Sequence, residues 1–306
     1  MNEAQGELVN LFAPCLGAYS PRTLRGYMAD LAVFIEWCRR ARWTWLPADP
    51  LTIASFVDDQ VSRYCISTIK RRLCAIAFAH RVRDLPSPVD AQAVRLAVRR
   101  ASRTKPSRPK QVGGLTNAIR LKILNACPKT LAGVRDAALI SVGYDTLCRS
   151  SEIAAMRVEH VTIGSDGTAM IIIPRSKSDA AGNGRVAYLS PETTTLLKRW
   201  LEEAPRRKGP LFRSLHLGRV SDQSLDTSSI RRLIKRATKR AGLDLSSRLS
   251  GHSMRIGAAQ DMLVAGFDAI AIMQAGGWKS ANVVLRYVEN AATKELHEKR
   301  WRSLNN

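Results

Sequence analysis

Acidic residues are few relative to basic ones. Against 48 lysines and arginines stand 26 aspartates and glutamates, a formal net charge of +22. That imbalance implies a polyanionic partner, most often nucleic acid. No run of ~18 apolar residues occurs, so a membrane span is not expected. The opening Met-Asn-Glu-Ala-Gln-Gly-Glu lacks the basic-then-apolar order of a secretory signal, and a cytosolic protein is expected. The six cysteines are Cys15, Cys38, Cys65, Cys74, Cys127 and Cys148. None forms a Cys-x-x-Cys pair, and the five histidines show no ligand spacing, which speaks against a zinc site or a disulfide framework. Cys65 and Cys74 are expected in the core of a reduced protein. Internal repeats and low-complexity tracts are also lacking.

What is there is enough chain, 306 residues with 45% apolar content, for two ordinary domains with real cores. The positive charge is spread over both. Residues 1–104 carry 15 basic and 9 acidic residues, and residues 113–306 carry 30 and 17. Helical spacing is legible over 20–40, opened by Ser20-Pro21, and again over 50–63, 66–82 and 89–101. In the third of these, Ile69, Leu73, Ile76 and Ala77 form one face, and Lys70, Arg71 and Arg72 are expected on the other. Residues 99–112 hold six basic residues, two prolines and no acid, which reads as a linker. Such a run, including Arg103 and Lys105, is either a solvated charge run or a DNA-tracking segment.

Beyond it the spacing predicts further helices, including Val134 to Tyr144 and 150–156. Two strands follow, Ala169 to Pro174 and Arg185 to Leu189, joined by a Ser/Asp/Gly/Asn-rich turn carrying Lys177. More helices are expected at 191–203, 227–241, 253–264, 268–275, 280–288 and 292–304. Within Ser229–Leu243, Ile230, Leu233, Ile234, Ala237 and Ala241 make an apolar face. Arg231, Arg232, Lys235, Arg236, Lys239 and Arg240 make the rest. That surface is either a solvated basic face or a helix laid along a major groove.

Four motifs carry chemistry: Thr-Leu-Cys-Arg149-Ser-Ser-Glu152-Ile, Ser-Gly-His252-Ser-Met-Arg255-Ile-Gly, Gly-Gly-Trp278-Lys-Ser and Val-Leu-Arg-Tyr287-Val. Two guanidiniums suit a phosphate whose charge grows in a transition state, because each stays charged and donates parallel hydrogen bonds. A Trp Nε1–H can only donate. A tyrosine can act as a nucleophile and later as a leaving group. Each residue also has an ordinary reading: Arg149 as a helix-corner arginine, Glu152 as a capping partner, His252 as an N-cap residue, and Trp278 and Tyr287 as core.

In order and spacing this set resembles the tyrosine recombinase (phage integrase) family, and the segment Ser250 to Asn290 is similar to its Cre-like branch, where Trp replaces the commoner His at the Trp278 position. The resemblance is dense from about Val134 to Asn290 and looser over 19–100. It implies a mainly α, two-domain fold. Residues 1–104 would form a core-binding helical bundle, residues 105–114 a basic linker, and residues 115–306 an α+β catalytic domain with a small antiparallel sheet. It implies Tyr287 as nucleophile, Arg149, Arg255, His252 and Trp278 around the phosphate, Glu152 in support and Lys177 as general acid. Lys70, Arg71, Arg72, Arg103, Lys105, Arg231, Arg232 and Lys235 are candidate DNA contacts. A metal or other cofactor is not called for. The partner implied is duplex DNA carrying target sites. The protein would be a monomer in solution and a homotetramer on synapsed DNA, in the bacterial cytoplasm or nucleoid. The last piece, with Leu296, Trp301 and Leu304 on one side and Lys294, His297, Glu298 and Arg302 on the other, is expected to dock on a neighbouring copy.

Overall fold

The computed structural model describes residues 3–105, 112–174, 184–245, 248–289, 291 and 293–304. The chain divides into two compact units, Met1–Lys110 and Gln111–Asn306. It is mainly helical with two small antiparallel sheets, and no described helix is long and apolar enough to cross a membrane.

The first unit holds α1 (Glu3–Phe12), α2 (Pro21–Ala41), α3 (Pro50–Val61), α4 (Ile66–Val82) and α5 (Gln92–Thr104). Their starts follow local chemistry. Ser20 Oγ accepts the Thr23 N–H at 3.1 Å ahead of Pro21, and Asp49 Oδ2 accepts the Leu51 N–H at 2.8 Å ahead of Pro50. Both are N-caps that satisfy donors the helix cannot. Phe34, Ile35, Ile53, Phe56, Ile69 and Ile76 form the centre of the core.

Four expectations for this unit are corrected. Helix α1 lies in a stretch where none was expected; it is held by Leu8, Leu11 and Phe12, all buried. Helix α5 runs to Thr104, so Arg99, Arg100 and Arg103 are helical and not part of a linker; Arg100 pairs with Asp58 at 2.8 Å. Arg72 is buried, not outward. It donates from Nη1 to Gln60 Oε1, and its guanidinium lies 4.0 Å from the Tyr64 ring centroid. Cys65 and Cys74 are exposed. Cys65 stands at the N-cap position of α4 without a side-chain capping bond, and the Ser67 and Thr68 hydroxyls, each 3.2 Å from its sulfur, hold the thiol pKa down to about 6.

The second unit contains α6 (Asn117–Asn125), α7 (Leu131–Asp145), α8 (Ser150–Ala155), β1 (Val161–Ile163), β2 (Ala169–Ile173), β3 (Arg185–Leu189), α9 (Pro191–Glu203), β4 (Arg213–His216), β5 (Arg219–Ser224), α10 (Thr227–Arg240), α11 (Ser253–Ala265), α12 (Ala269–Gly276), α13 (Ala281–Val288) and α14 (Thr293–Leu304). Helix α7 is buried on nearly every side, and its charged pair, Arg135 and Asp136, is buried with it, joined at 2.7 Å. Strands pair in the order β1-β2-β3, with Ile171 opposite Ala187 and Ile173 opposite Arg185. Ala169, Ile171, Ile173, Ala187 and Leu189 face the core; Ile172, Val186 and Tyr188 face outward.

The β4–β5 hairpin was not legible. Its strands are polar, and its turn rests on Leu217 and Gly218, both at positive φ. The Lys177 turn and residues 106–111 lie outside the described residues. The stretch just after, expected as the end of the linker, is instead held on the second unit: Gly113 N donates to Arg248 O at 2.8 Å, and Leu115 N to Ser253 O at 2.7 Å.

Candidate active site

Helix α8 starts at Arg149, whose backbone N–H donates to Glu152 Oε2 at 2.9 Å. The other oxygen of the same carboxylate accepts Arg149 Nη1 at 2.5 Å. Glu152 is buried and Arg149 half-buried. The capping role and the arginine-orienting role of Glu152 are therefore one arrangement: the cap fixes the carboxylate, and the carboxylate fixes the guanidinium.

A glycine seats the second motif against the first. Ser150 Oγ donates to Gly251 O at 2.9 Å, and a Cβ at Gly251 would overlap that same hydroxyl. This close approach puts His252, the N-cap of α11, and Arg255 on its first turn beside the Arg149 corner. Arg255 is fully buried and donates from Nη1 to Leu147 O. Leu147 sits in the left-handed region at φ 50°. A non-glycine residue there is held against strain by its surroundings.

The third motif works through its glycines. Gly277, at φ 64°, closes α12, and Trp278 N donates back to Met273 O at 2.9 Å. A Cβ at Gly276 would overlap the Trp278 ring, and one at Gly277 would lie 2.8 Å from Arg185 Cδ. The turn delivers the indole face to Arg255, whose guanidinium lies 3.9 Å from the ring centroid. The Tyr287 ring follows at 5.6 Å, centroid to centroid, from Trp278. Tyr287 and Val288 pack on an apolar cluster that includes Leu147, Ala258, Ile272, Trp278 and Val284.

Among the described residues, eight buried side-chain polar atoms have no hydrogen-bond partner. Three of them, Arg255 Nε, Arg255 Nη2 and Trp278 Nε1, belong to this one site. All three are donors, and a buried donor without an acceptor is costly. An anionic oxygen is the kind of partner that such donors lack. The electrostatics agree. Burial, then the charge of Arg149, pushes Arg255 down to about 10, with Glu152 opposing, so the guanidinium stays charged at neutral pH. His252 is exposed, but partial desolvation, then Arg255 and Arg149, lowers its pKa below the usual imidazole value, which favours the neutral ring near pH 7.

Arg149, Glu152, His252, Arg255, Trp278 and Tyr287 thus share one site within the second unit. Lys177 lies outside the described residues. Of the expected DNA contacts, Lys70 and Arg103 are exposed. Arg71 is exposed but engaged by Asp30 at 2.6 and 2.7 Å. Lys105 donates to Tyr64 O at 3.1 Å. Arg231, Arg232 and Lys235 are exposed on α10, whose Ile230, Leu233, Ile234 and Ala237 are buried. Arg72 drops from this set because it is internal.

Arg185 belongs to the site although no sequence motif marks it. From β3 it donates to Thr146 O at 2.6 Å, Ala275 O at 3.1 Å and Cys148 Sγ at 3.3 Å. It ties the hairpin to the Arg149 corner and to the Trp278 turn. Its targets are mostly backbone carbonyls, which leave no mark in the sequence.

Residues 115–294 match the family model described as the phage integrase family. The recombinase cre of Escherichia phage P1 is 29% identical over 308 residues, covering 94% of this chain and 90% of that protein. An integrase/recombinase xerD homolog of Selenomonas ruminantium is 30% identical over 278 residues, covering 87% of this chain and 81% of that one. Among solved structures, the XerH site-specific recombinase bound to a palindromic difH substrate, a post-cleavage complex, superposes with a TM-score of 0.67 at 20% identity, covering 91% and 80%. A lambda integrase tetramer bound to a Holliday junction gives 0.61 at 15% identity, covering 94% and 77%.

Proposed function

Because this chain belongs to the phage integrase family, we propose that Tyr287 is the nucleophile with which it breaks and rejoins DNA strands at specific sites. The enzyme is a tyrosine recombinase. The observation that carries the assignment of residues is the set of unpartnered buried donors on Arg255 and Trp278, one ring away from the Tyr287 phenol.

The scissile phosphate is the acceptor for those donors. Arg149, aimed by Glu152, and Arg255 bind its non-bridging oxygens and offset the charge that grows there. Trp278 Nε1 donates a further hydrogen bond. The phenolic oxygen attacks phosphorus, its proton passes to neutral His252, and the bond to the 5′ oxygen breaks. Lys177 supplies the proton that the leaving oxygen needs. The product is a 3′-phosphotyrosyl link and a free 5′ hydroxyl. Attack by a partner strand's 5′ hydroxyl reverses the step on a new junction and regenerates Tyr287. Every proton and charge in this account is handled by the chain's own side chains.

The partner is duplex DNA. The exposed row Arg231, Arg232 and Lys235 on α10, with Lys70, Arg71, Arg103 and Lys105 in the first unit, would hold its backbone. Four copies on two synapsed sites complete two rounds of exchange. Helix α14 supports the assembly: Trp301 and Leu304 stand exposed on it, and docking on the next copy would bury them. The side chains of Lys294 and Leu296 lie outside the described residues. A monomer in solution and a cytoplasmic location belong to the same proposal.

Incubation with a nicked duplex that lets the short 5′ product diffuse away tests the reading. An SDS-stable protein–DNA adduct joined through the 3′ end is expected, and an adduct through the 5′ end would overturn it.

A further inference from the structure

Tyr287 is the penultimate residue of α13, so its carbonyl is one of the last four, which no further turn of the helix can satisfy. Among the described residues, the Gln260 side chain reaches it, Nε2 donating to Tyr287 O at 3.2 Å. Gln260 stands on α11, five residues after Arg255, and is buried. Its amide is boxed in. A Cβ at Gly114 would overlap Gln260 Oε1 and would lie 3.0 Å from Gly257 Cα. The strand of chain carrying Gly114 is itself fastened to α11 through Leu115 N and Ser253 O.

Helix α11 does not depend on Gln260 for its own place. The neighbouring Asp261 Oδ2 accepts Asn117 N at 2.6 Å and Tyr144 Oη–H at 2.5 Å. Ser253 Oγ accepts Ser250 N at 2.8 Å at its start. Loss of the Gln260 donor would therefore leave Arg255 where it is and release only the end of α13.

We propose that Gln260, with Gly114 behind it, is a positioning residue for the nucleophile: its amide fastens the backbone of Tyr287 to the helix that holds the phosphate-binding Arg255. The inference rests on Tyr287 being the nucleophile. Gln260 touches no reacting atom. It acts because the phenol moves with its own backbone, and a small misplacement of a nucleophile is costly in rate.

The test uses the full chain and a nicked duplex whose sequence the wild-type protein selects from a randomised pool. Gln260→Met keeps the length and volume of the side chain but removes the donor, and Gln260→Glu places an acceptor against the carbonyl. Single-turnover adduct formation should fall about tenfold in the first, the scale of one lost hydrogen bond at a reacting group, and further in the second. Gly114→Ala should reproduce the loss by displacing the amide. The affinity for DNA should stay within about twofold. In a Tyr287→Phe background, hydrogen peroxide can serve as an external nucleophile, and its cleavage of the same duplex should be the same with Gln260 or Met, because the phosphate-binding half is untouched. Wild-type adduct formation by Gln260→Met, or an equal fall in peroxide cleavage, would overturn the proposal. A wild-type protein that forms no adduct would defeat the nucleophile assignment itself, and this inference with it.

Discussion

The guanidinium of Arg255 lies 3.9 Å from the centroid of the Trp278 indole, whose centroid is in turn 5.6 Å from that of the Tyr287 ring. The indole therefore has two jobs: its face covers a buried cation, and its edge holds out a donor. Phe at this position keeps the first and loses the second. Trp278→Phe should slow cleavage by ~10²-fold, as loss of one transition-state donor does, with DNA affinity little changed. Trp278→His restores an N–H and should recover much of the rate. Single-turnover cleavage of the three proteins side by side is the check, and equal rates for Phe and Trp would remove Nε1–H from the chemistry.

The contact between Ser150 and Gly251 makes a second prediction. A Cβ at residue 251 would overlap Ser150 Oγ, and the two motifs that supply the arginines meet there. Gly251→Ala should cost ~1–3 kcal/mol of stability, the usual range for an overpacked buried contact, and more than tenfold in cleavage. Ser150→Gly, which removes the obstructing hydroxyl, should relieve part of both in the double mutant. Thermal denaturation and cleavage of the four-member cycle would show it. Additive losses would mean that the contact does not set the geometry.

The pH dependence follows from His252. Desolvation, then Arg255 and Arg149, lowers its pKa, and Glu152 raises it. Neutral His252 is the form able to take the phenolic proton, so activity is fully present above the ordinary imidazole value near 6.5 and is lost as pH falls through the lowered one. The acid limb of the cleavage profile should lie below pH 6.5. Glu152→Gln removes the group that favours imidazolium and should move the limb lower still, besides slowing the reaction. An acid limb at or above pH 6.5 would contradict this placement of charges.

Binding should weaken steeply with salt. Each phosphate contact contributes about 0.9 to the slope of log K against log salt. Arg231, Arg232 and Lys235 are exposed on α10, so changing one of them to Ala should lower that slope by about one. Arg72→Met, by contrast, should leave the slope alone, because Arg72 is buried against Tyr64 and Gln60. Titrations at several salt concentrations decide both.

Much of this was legible in the sequence, for identifiable reasons. The boundaries of α9 and α10 follow from strong caps: Ser190-Pro191 opens one, and Asp226, accepting the Ser228 and Ser229 N–H groups, opens the other. The apolar face of α10 was readable because its periodicity is uninterrupted. Arg72 was misread because helical spacing gives a direction around the helix, not what stands opposite. Here Tyr64 and Gln60 close over a position that the pattern assigns to solvent. The β4–β5 hairpin was missed because polar strands carry no alternation to read. In the site, the residue types and order of Arg149, His252, Arg255, Trp278 and Tyr287 were visible. The glycines that let them approach, Gly251 and Gly276, stood in the motifs without any sign of what a Cβ there would strike. Arg185 and Gln260 act through backbone carbonyls, which every residue has.

Strand cleavage as proposed requires the Tyr287 phenol to become bonded to the DNA. Protease digestion of the trapped adduct, followed by mass spectrometry of the nucleotide-bearing peptide, tests it directly. A single modified peptide is expected, with the added 3′-phosphonucleotide on Tyr287, and no adduct with Tyr287→Phe. A nucleotide found on any other residue, or an adduct that persists in Tyr287→Phe, would contradict it.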